Sequence, residues 1–211
     1  MTSGDFQDQL AKRAALAEVA LFPALAAQLE AYYRLLTHWN ASINLTALPL
    51  DPLTDQAMDR LLIEPLAAAH FLSTDSPMWF DLGSGSGSPA IPLKLARPAG
   101  WLTMVESKER KAAFLREAVR ALSLDGADVE DERIEVVAAD HRRAGTADLI
   151  TVRAVRIDPS LFGSIRALLR FGGRVLFFGA RLADLAVPRG FEAVEAWSAD
   201  PGLVLLIRTG L

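Results

Sequence analysis

The sequence predicts an α/β fold in which a mostly parallel sheet ends in an antiparallel C-terminal hairpin and is preceded by an N-terminal helical appendage. Three observations lead there. Beyond residue 77, short apolar runs alternate with amphipathic stretches, the pattern of a parallel sheet covered by helices. The first such run, Trp79–Leu82, opens directly into a glycine-rich loop, and Asp200-Pro201-Gly202 separates the last two apolar runs as a hairpin turn does.

The elements follow in order. Residues 1–74 read as helical. From Pro23, suited to a first turn, the positions Leu25, Leu29, Tyr32, Tyr33, Leu36 and Trp39 keep the spacing of one helix face. A second helix runs from about Asp55 to Leu72, with Pro65 predicting a kink, and Asn40 to Pro52 is loop between them. Ser73-Thr74-Asp75-Ser76-Pro77 marks a boundary that divides the chain into a helical subdomain, 1–74, and a larger domain, 75–211. Strands are expected near Trp79–Leu82, Trp101–Glu106, Ile134–Ala138, Leu149–Arg153 and Arg174–Phe178. Helices are expected near Pro89–Ala96, Lys108–Leu122 and Pro159–Leu169, and Phe191–Trp197 with Leu203–Arg208 form the hairpin.

Composition narrows the function. With 211 residues, 51% hydrophobic and 23% charged, the chain fits one core of catalytic size plus its appendage. It has no cysteine, which excludes disulfides and thiolate chemistry, and His38, His70 and His141 lack metal-ligand spacing, so no metal is expected. No apolar run approaches the roughly 20 residues that cross a bilayer, and Met1-Thr2-Ser3-Gly4-Asp5 does not begin a secretory signal; a cytoplasmic protein is expected. The net charge of −4 argues weakly against a nucleic-acid binder, but the basic residues concentrate in the second half, which leaves a local basic face open.

The chemistry starts at Asp81-Leu82-Gly83-Ser84-Gly85-Ser86-Gly87-Ser88. Glycines there let backbone approach a ligand where side chains collide. The spacing is G-x-G-x-G, without the third Gly or Ala of a dinucleotide site and without the Gly-Lys-Ser/Thr of a P-loop. Asp-x-Gly-x-Gly-x-Gly resembles the first motif of the Rossmann-like class I S-adenosylmethionine-dependent methyltransferases. That resemblance implies that Gly83, Gly85 and Gly87 receive the methionine part of the cofactor, with Asp81 near its amino group; a glycine turn without a ligand is the alternative. Glu106 ends the second strand, where an acid can accept both ribose hydroxyls or else pair with Arg110. Asp140 and His141, after the expected third strand, stand where related enzymes contact adenine, Asp140 as an acceptor; a histidine in the place of His141 is more often solvent-facing than functional.

Further segments are similar to one family, the bacterial 16S ribosomal RNA guanine-N7 methyltransferases, or glucose-inhibited division protein B. They are Tyr32-Tyr33, Trp39-Asn40 with Asn44-Leu45-Thr46, Pro89 with Ile91-Pro92-Leu93, Glu106-Ser107 with Phe114-Leu115, and Arg153-Ala154-Val155. The resemblance implies transfer of a methyl group from S-adenosylmethionine to guanine N7, with ribosomal RNA or the small ribosomal subunit as partner. It places Gly83, Ser88, Glu106, Ser107, Lys108, Asp140, His141 and Arg153 at the cofactor, with Arg153, Arg142 and Arg156 toward the substrate. Lys108, Arg110 and Arg143 join these arginines as basic residues expected near the C-terminal strand ends. Departures are numerous: Leu61-Leu62-Ile63-Glu64-Pro65 replaces His-Phe/Ile-Leu-Asp-Ser, Ser88 a large apolar residue, Ala90 a glycine, Asp140-His141-Arg142 an Arg-x-Glu, and Gly179-Ala180 a Lys-Gly. They leave two other readings open, a methyltransferase of the same fold acting on a protein or small molecule with Glu64 or His141 as base, and a cofactor-binding relative without catalysis.

Overall fold

The computed structural model describes residues 1–72, 77–197 and 202–210. The expected linker at Ser73–Ser76 and the turn residues Asp200-Pro201 lie outside them. Among the described residues, β1 (Met78–Leu82), β2 (Trp101–Val105), β3 (Ala127–Glu130), β4 (Ala147–Arg153), β5 (Leu169–Phe178), β6 (Phe191–Trp197) and β7 (Leu203–Arg208) form one sheet in the order β3-β2-β1-β4-β5-β7-β6. Pairing is parallel from β3 to β5, and β7 is antiparallel to both β5 and β6, as the hairpin expectation requires. β1 therefore lies between β2 and β4, where the strand order reverses. The loops after β1 and β4 diverge there and leave a crevice at the carboxyl ends of the strands.

Alternating strand residues feed two cores. Trp79, Leu102 and Met104 face the side covered by the N-terminal helices, α5 (Ala90–Ala96) and α6 (Glu109–Ala121). Phe80, Leu82 and Val105 face α7 (Ile134–Ala139) and α8 (Pro159–Leu168). The N-terminal helices share the first core. In α1 (Ser3–Leu16), started by a Thr2–Asp5 capping box, Phe6, Leu10 and Ala14 are buried at one-turn spacing, and Phe6 stacks on Tyr33 of α2 (Pro23–Asn40).

Two expectations are corrected. Ile134–Ala138 is helix, not strand. Its β-branched residues read as extended, but Arg133 caps a turn that packs Val137 toward α8 and leaves Val136 in solvent. The third strand is Ala127–Glu130, an edge strand whose Asp128 and Glu130 erase the apolar run of its buried neighbours.

The expected kink at Pro65 takes a definite form. The helix starts as α3 (Asp55–Met58), widens into a π-helical turn over Asp59–Ile63, and resumes as α4 (Glu64–Ala68) with Pro65 in its first turn. The Glu64 N–H reaches back five residues to the Asp59 carbonyl, and Pro65 has no N–H to give. The carbonyls of Arg60 and Leu61 consequently lose their usual intrahelical donors.

Candidate active site

The glycine-rich loop follows β1 into the crevice, and its three glycines do different work. All have positive φ, 75°, 50° and 84° at Gly83, Gly85 and Gly87. A Cβ on Gly83 would sit 2.5 Å from Val155, and one on Gly87 2.5 Å from Ile91, so these two permit close packing. A Cβ on Gly85 would meet nothing nearer than the Gly83 carbonyl at 3.8 Å. Gly85 is thus the point where the backbone is bare toward the cleft.

Glu106 fixes that loop. The carboxylate, only 7% exposed, accepts from the Gly85 N–H and from the Lys108 N–H, each at 2.9 Å. Each oxygen keeps a lone-pair site for a ligand hydroxyl. Asp81, 1% exposed, lies beneath the loop, where its side chain accepts from the Thr151 hydroxyl, which in turn accepts from the Trp79 indole at 3.0 Å. Burial pushes the Asp81 carboxyl up to about 6, with the Thr151 and Ser84 hydrogen bonds opposing.

Arg153, at the end of β4, clamps the π turn. Its guanidinium donates to the orphaned Arg60 carbonyl, to Ser88 Oγ at 3.2 Å and to Glu64 Oε2 at 2.6 Å, and it lies 4.8 Å over the Phe178 ring. The Ser88 hydroxyl donates to the other freed carbonyl, Leu61, at 2.8 Å. Burial lowers the guanidinium to about 10 and raises the Glu64 carboxyl, while the attraction between the two opposes both shifts; Arg153 stays protonated at neutral pH. Among the described residues the Nε of Arg153 is buried without a hydrogen-bond partner.

The N-terminal helices supply a wall of the same cleft. Tyr32 donates to the Ser86 carbonyl at 2.8 Å, and Tyr33 to the Leu50 carbonyl at 2.5 Å. Asn40 Oδ1 accepts from the Leu45 and Thr46 N–H groups at 2.9 and 3.0 Å, folding the loop after α2, and Trp39 meets Phe114 edge-on at 5.9 Å. The resulting cleft holds about 670 Å³, between the loop 45–48, Arg60 and Leu61, the glycine loop, Glu106 to Lys108 with Lys111, Ile134, and Arg153 to Val155.

Residues 25–186 match the GidB family model, rRNA small subunit methyltransferase G. The chain belongs to that family. A ribosomal RNA small subunit methyltransferase G from Stenotrophomonas maltophilia (strain K279a) is 40% identical over 199 residues, 89% of this chain and 86% of the relative. One from Xanthomonas axonopodis pv. citri (strain 306) is 38% identical over 159 residues, 74% and 70% of the two chains. Two solved structures share the fold. They are a precorrin-6Y C5,15-methyltransferase from Geobacter metallireducens, with a TM-score of 0.54 and 14% identity over 69% of this chain and 87% of the other, and a methyltransferase from Geobacter sulfurreducens, with 0.53 and 13% over 70% and 77%.

Of the GidB segments noted in the sequence, Leu45-Thr46, the glycine loop, Glu106-Ser107 and Arg153-Ala154-Val155 line the cleft, while Tyr32 and Asn40 act behind it, on the Ser86 carbonyl and on the Leu45 and Thr46 N–H groups. Gly83, Gly85, Ser88, Glu106, Ser107, Lys108 and Arg153 line it, whereas Asp81 and Gly87 support the loop from behind. Asp140 and His141 are not among the lining residues. They follow α7, and Arg142 holds the Asp140 carboxyl down at about 2. The misread third strand accounts for this: Arg133-Ile134-Glu135, itself an Arg-x-Glu, follows β3, and Ile134 lines the cleft. Arg142, 79% exposed, and Arg156, 90% exposed, also lie outside the lining residues. Nothing in the sequence pattern marks Arg60, Lys111 or Thr151, whereas Leu45 and Thr46 belong to the Asn-Leu-Thr element noted there.

Proposed function

We propose that this chain transfers a methyl group to guanine N7 of 16S ribosomal RNA, within the rRNA methyltransferase activity of its family. S-adenosylmethionine bound in the cleft supplies an electrophilic methyl group. The residues present fit that cofactor. The backbone is bare at Gly85, Glu106 offers free lone pairs to hydroxyls, and the buried Arg153 Nε has an unmet donor. Gly83, Gly85, Ser88, Glu106, Ser107 and Lys108 are proposed to hold it, with Asp81, Gly87 and Tyr32 keeping the loop in place.

The observation that carries N7 is the composition of the cleft. Among the described residues its lining includes no histidine and one carboxylate, Glu106, whose remaining lone pairs are assigned above to the cofactor's hydroxyls. Such a site is poorly equipped to remove a proton. N7 of guanine already carries a free lone pair, so positioning in line with the methyl–sulfur bond suffices. The chain's work is to bind, orient and exclude water.

The test is methyl transfer to unmethylated 16S rRNA, supplied as transcript and as small subunits, with the product mapped by sensitivity to N7-directed strand cleavage. A single N7-methylguanosine is expected. Methyl groups found at an exocyclic amine or a ribose oxygen would overturn the assignment.

A further inference from the structure

Resting on that reading, we infer that Arg60 and Lys111 grip the RNA phosphates beside the target nucleotide, and that the exposed arginines beyond the cleft do not. Both residues line the cleft, Arg60 from the π turn and Lys111 from α6. Among the described residues neither forms an ion pair. Arg142 and Arg143, by contrast, are committed to Asp140 and Glu130, and Arg156 lies 3.8 Å from Asp158. A polyanion competing for those arginines has to displace a carboxylate; at Arg60 and Lys111 it displaces water and counterions.

The charge arrangement favours an anion at Arg60 in particular. Glu64 is hydrogen-bonded to Arg153 and also lies in the field of Arg60, and Glu106 accepts from backbone N–H groups, so two guanidinium groups share one carboxylate at the π turn and an excess positive charge remains. Arg153 registers this, since the charge on Arg60 opposes its protonation. A phosphate, which an arginine binds with two parallel hydrogen bonds, relieves that repulsion. The backbone of Arg60 is already fixed through its carbonyl by Arg153, so the turn that carries its side chain is clamped and binding orders little beyond the side chain itself. The arrangement arises from Pro65 and the π register, which free that carbonyl.

The experiment titrates unmethylated 16S rRNA transcript against wild type, Arg60→Gln, Lys111→Gln and Arg142→Gln over a salt series, with S-adenosylmethionine affinity measured in parallel by calorimetry. Arg60→Gln and Lys111→Gln are each expected to lower the log–log salt slope by about 0.9 and weaken binding roughly 5-fold at low salt, without changing cofactor affinity. Arg142→Gln is expected to follow wild type. An unchanged slope in the first two variants, or loss of cofactor binding in place of RNA binding, overturns the inference while leaving the methyltransferase reading intact. Salt-insensitive RNA binding by the wild type would overturn the inference, and absence of any methyl transfer to the same RNA would separately contradict the proposed function.

Discussion

The hydroxyl of Tyr32, in α2, donates to the backbone carbonyl of Ser86, in the glycine-rich loop, at 2.8 Å across 54 residues of sequence. Burial raises the phenol far above its ordinary value, so it remains a donor at every working pH. Tyr32→Phe keeps the ring and removes this one bond. The expected cost in global stability is about 1 kcal/mol by urea unfolding. S-adenosylmethionine affinity should fall roughly 5- to 10-fold by calorimetry, because the bond holds a cofactor-facing loop. Equal affinity in wild type and variant would show that the loop is rigid without its link to the helices.

Glu64 and Arg153 meet at 2.6 Å with both side chains nearly buried. Removing either partner strands the other charge in the interior. Glu64→Leu and Arg153→Met are each expected to destabilise the fold by about 3 kcal/mol, and the Glu64→Leu/Arg153→Met pair by clearly less than the sum. Additive losses in a double-mutant cycle would mean that the two residues act independently.

Asp81 gives a signature in pH. In the folded chain burial lets its carboxyl keep a proton to about pH 6, whereas an unfolded aspartate releases it near 4. Between those values the folded state binds more protons, so this contribution to stability is complete below about pH 4 and is lost as pH rises through 6. Its full size is on the order of 3 kcal/mol. Asp81→Asn removes the ionisation while keeping the side chain's shape. Unfolding free energies of wild type minus variant should fall between pH 4 and 6; a flat difference would place the carboxyl in a more polar setting than the Thr151 and Ser84 contacts describe.

How far the sequence could be read follows from where each element sits. β1, β2, β4 and β5 are buried parallel strands and appear as apolar runs, and the hairpin shows as two more such runs. β3 is a charged edge, and α7 carries Ile134, Val136 and Val137, so local pattern favoured the wrong segment; only packing on α8 decides it. That one error moved the expected adenine contact to Asp140-His141. The glycine loop and Glu106 were legible because backbone geometry demands those residue types at that spacing. Arg60 was not, because its environment depends on Pro65 breaking a hydrogen-bond ladder and on an arginine 93 residues away closing the gap. The departures at Glu64 and Ser88 likewise make sense only in space, as the acid that pairs Arg153 and the hydroxyl that occupies the carbonyl Pro65 leaves free.

The measurement that tests the central claim most directly is calorimetric titration of S-adenosylmethionine into wild type, Gly85→Val and Glu106→Ala. Valine at position 85 projects into the open side of the loop, and alanine at 106 releases both backbone N–H groups that the carboxylate holds. Micromolar binding by the wild type, lost in both variants while their unfolding remains cooperative, is the expected result. Wild-type binding that survives both substitutions would contradict the placement of the cofactor in this cleft.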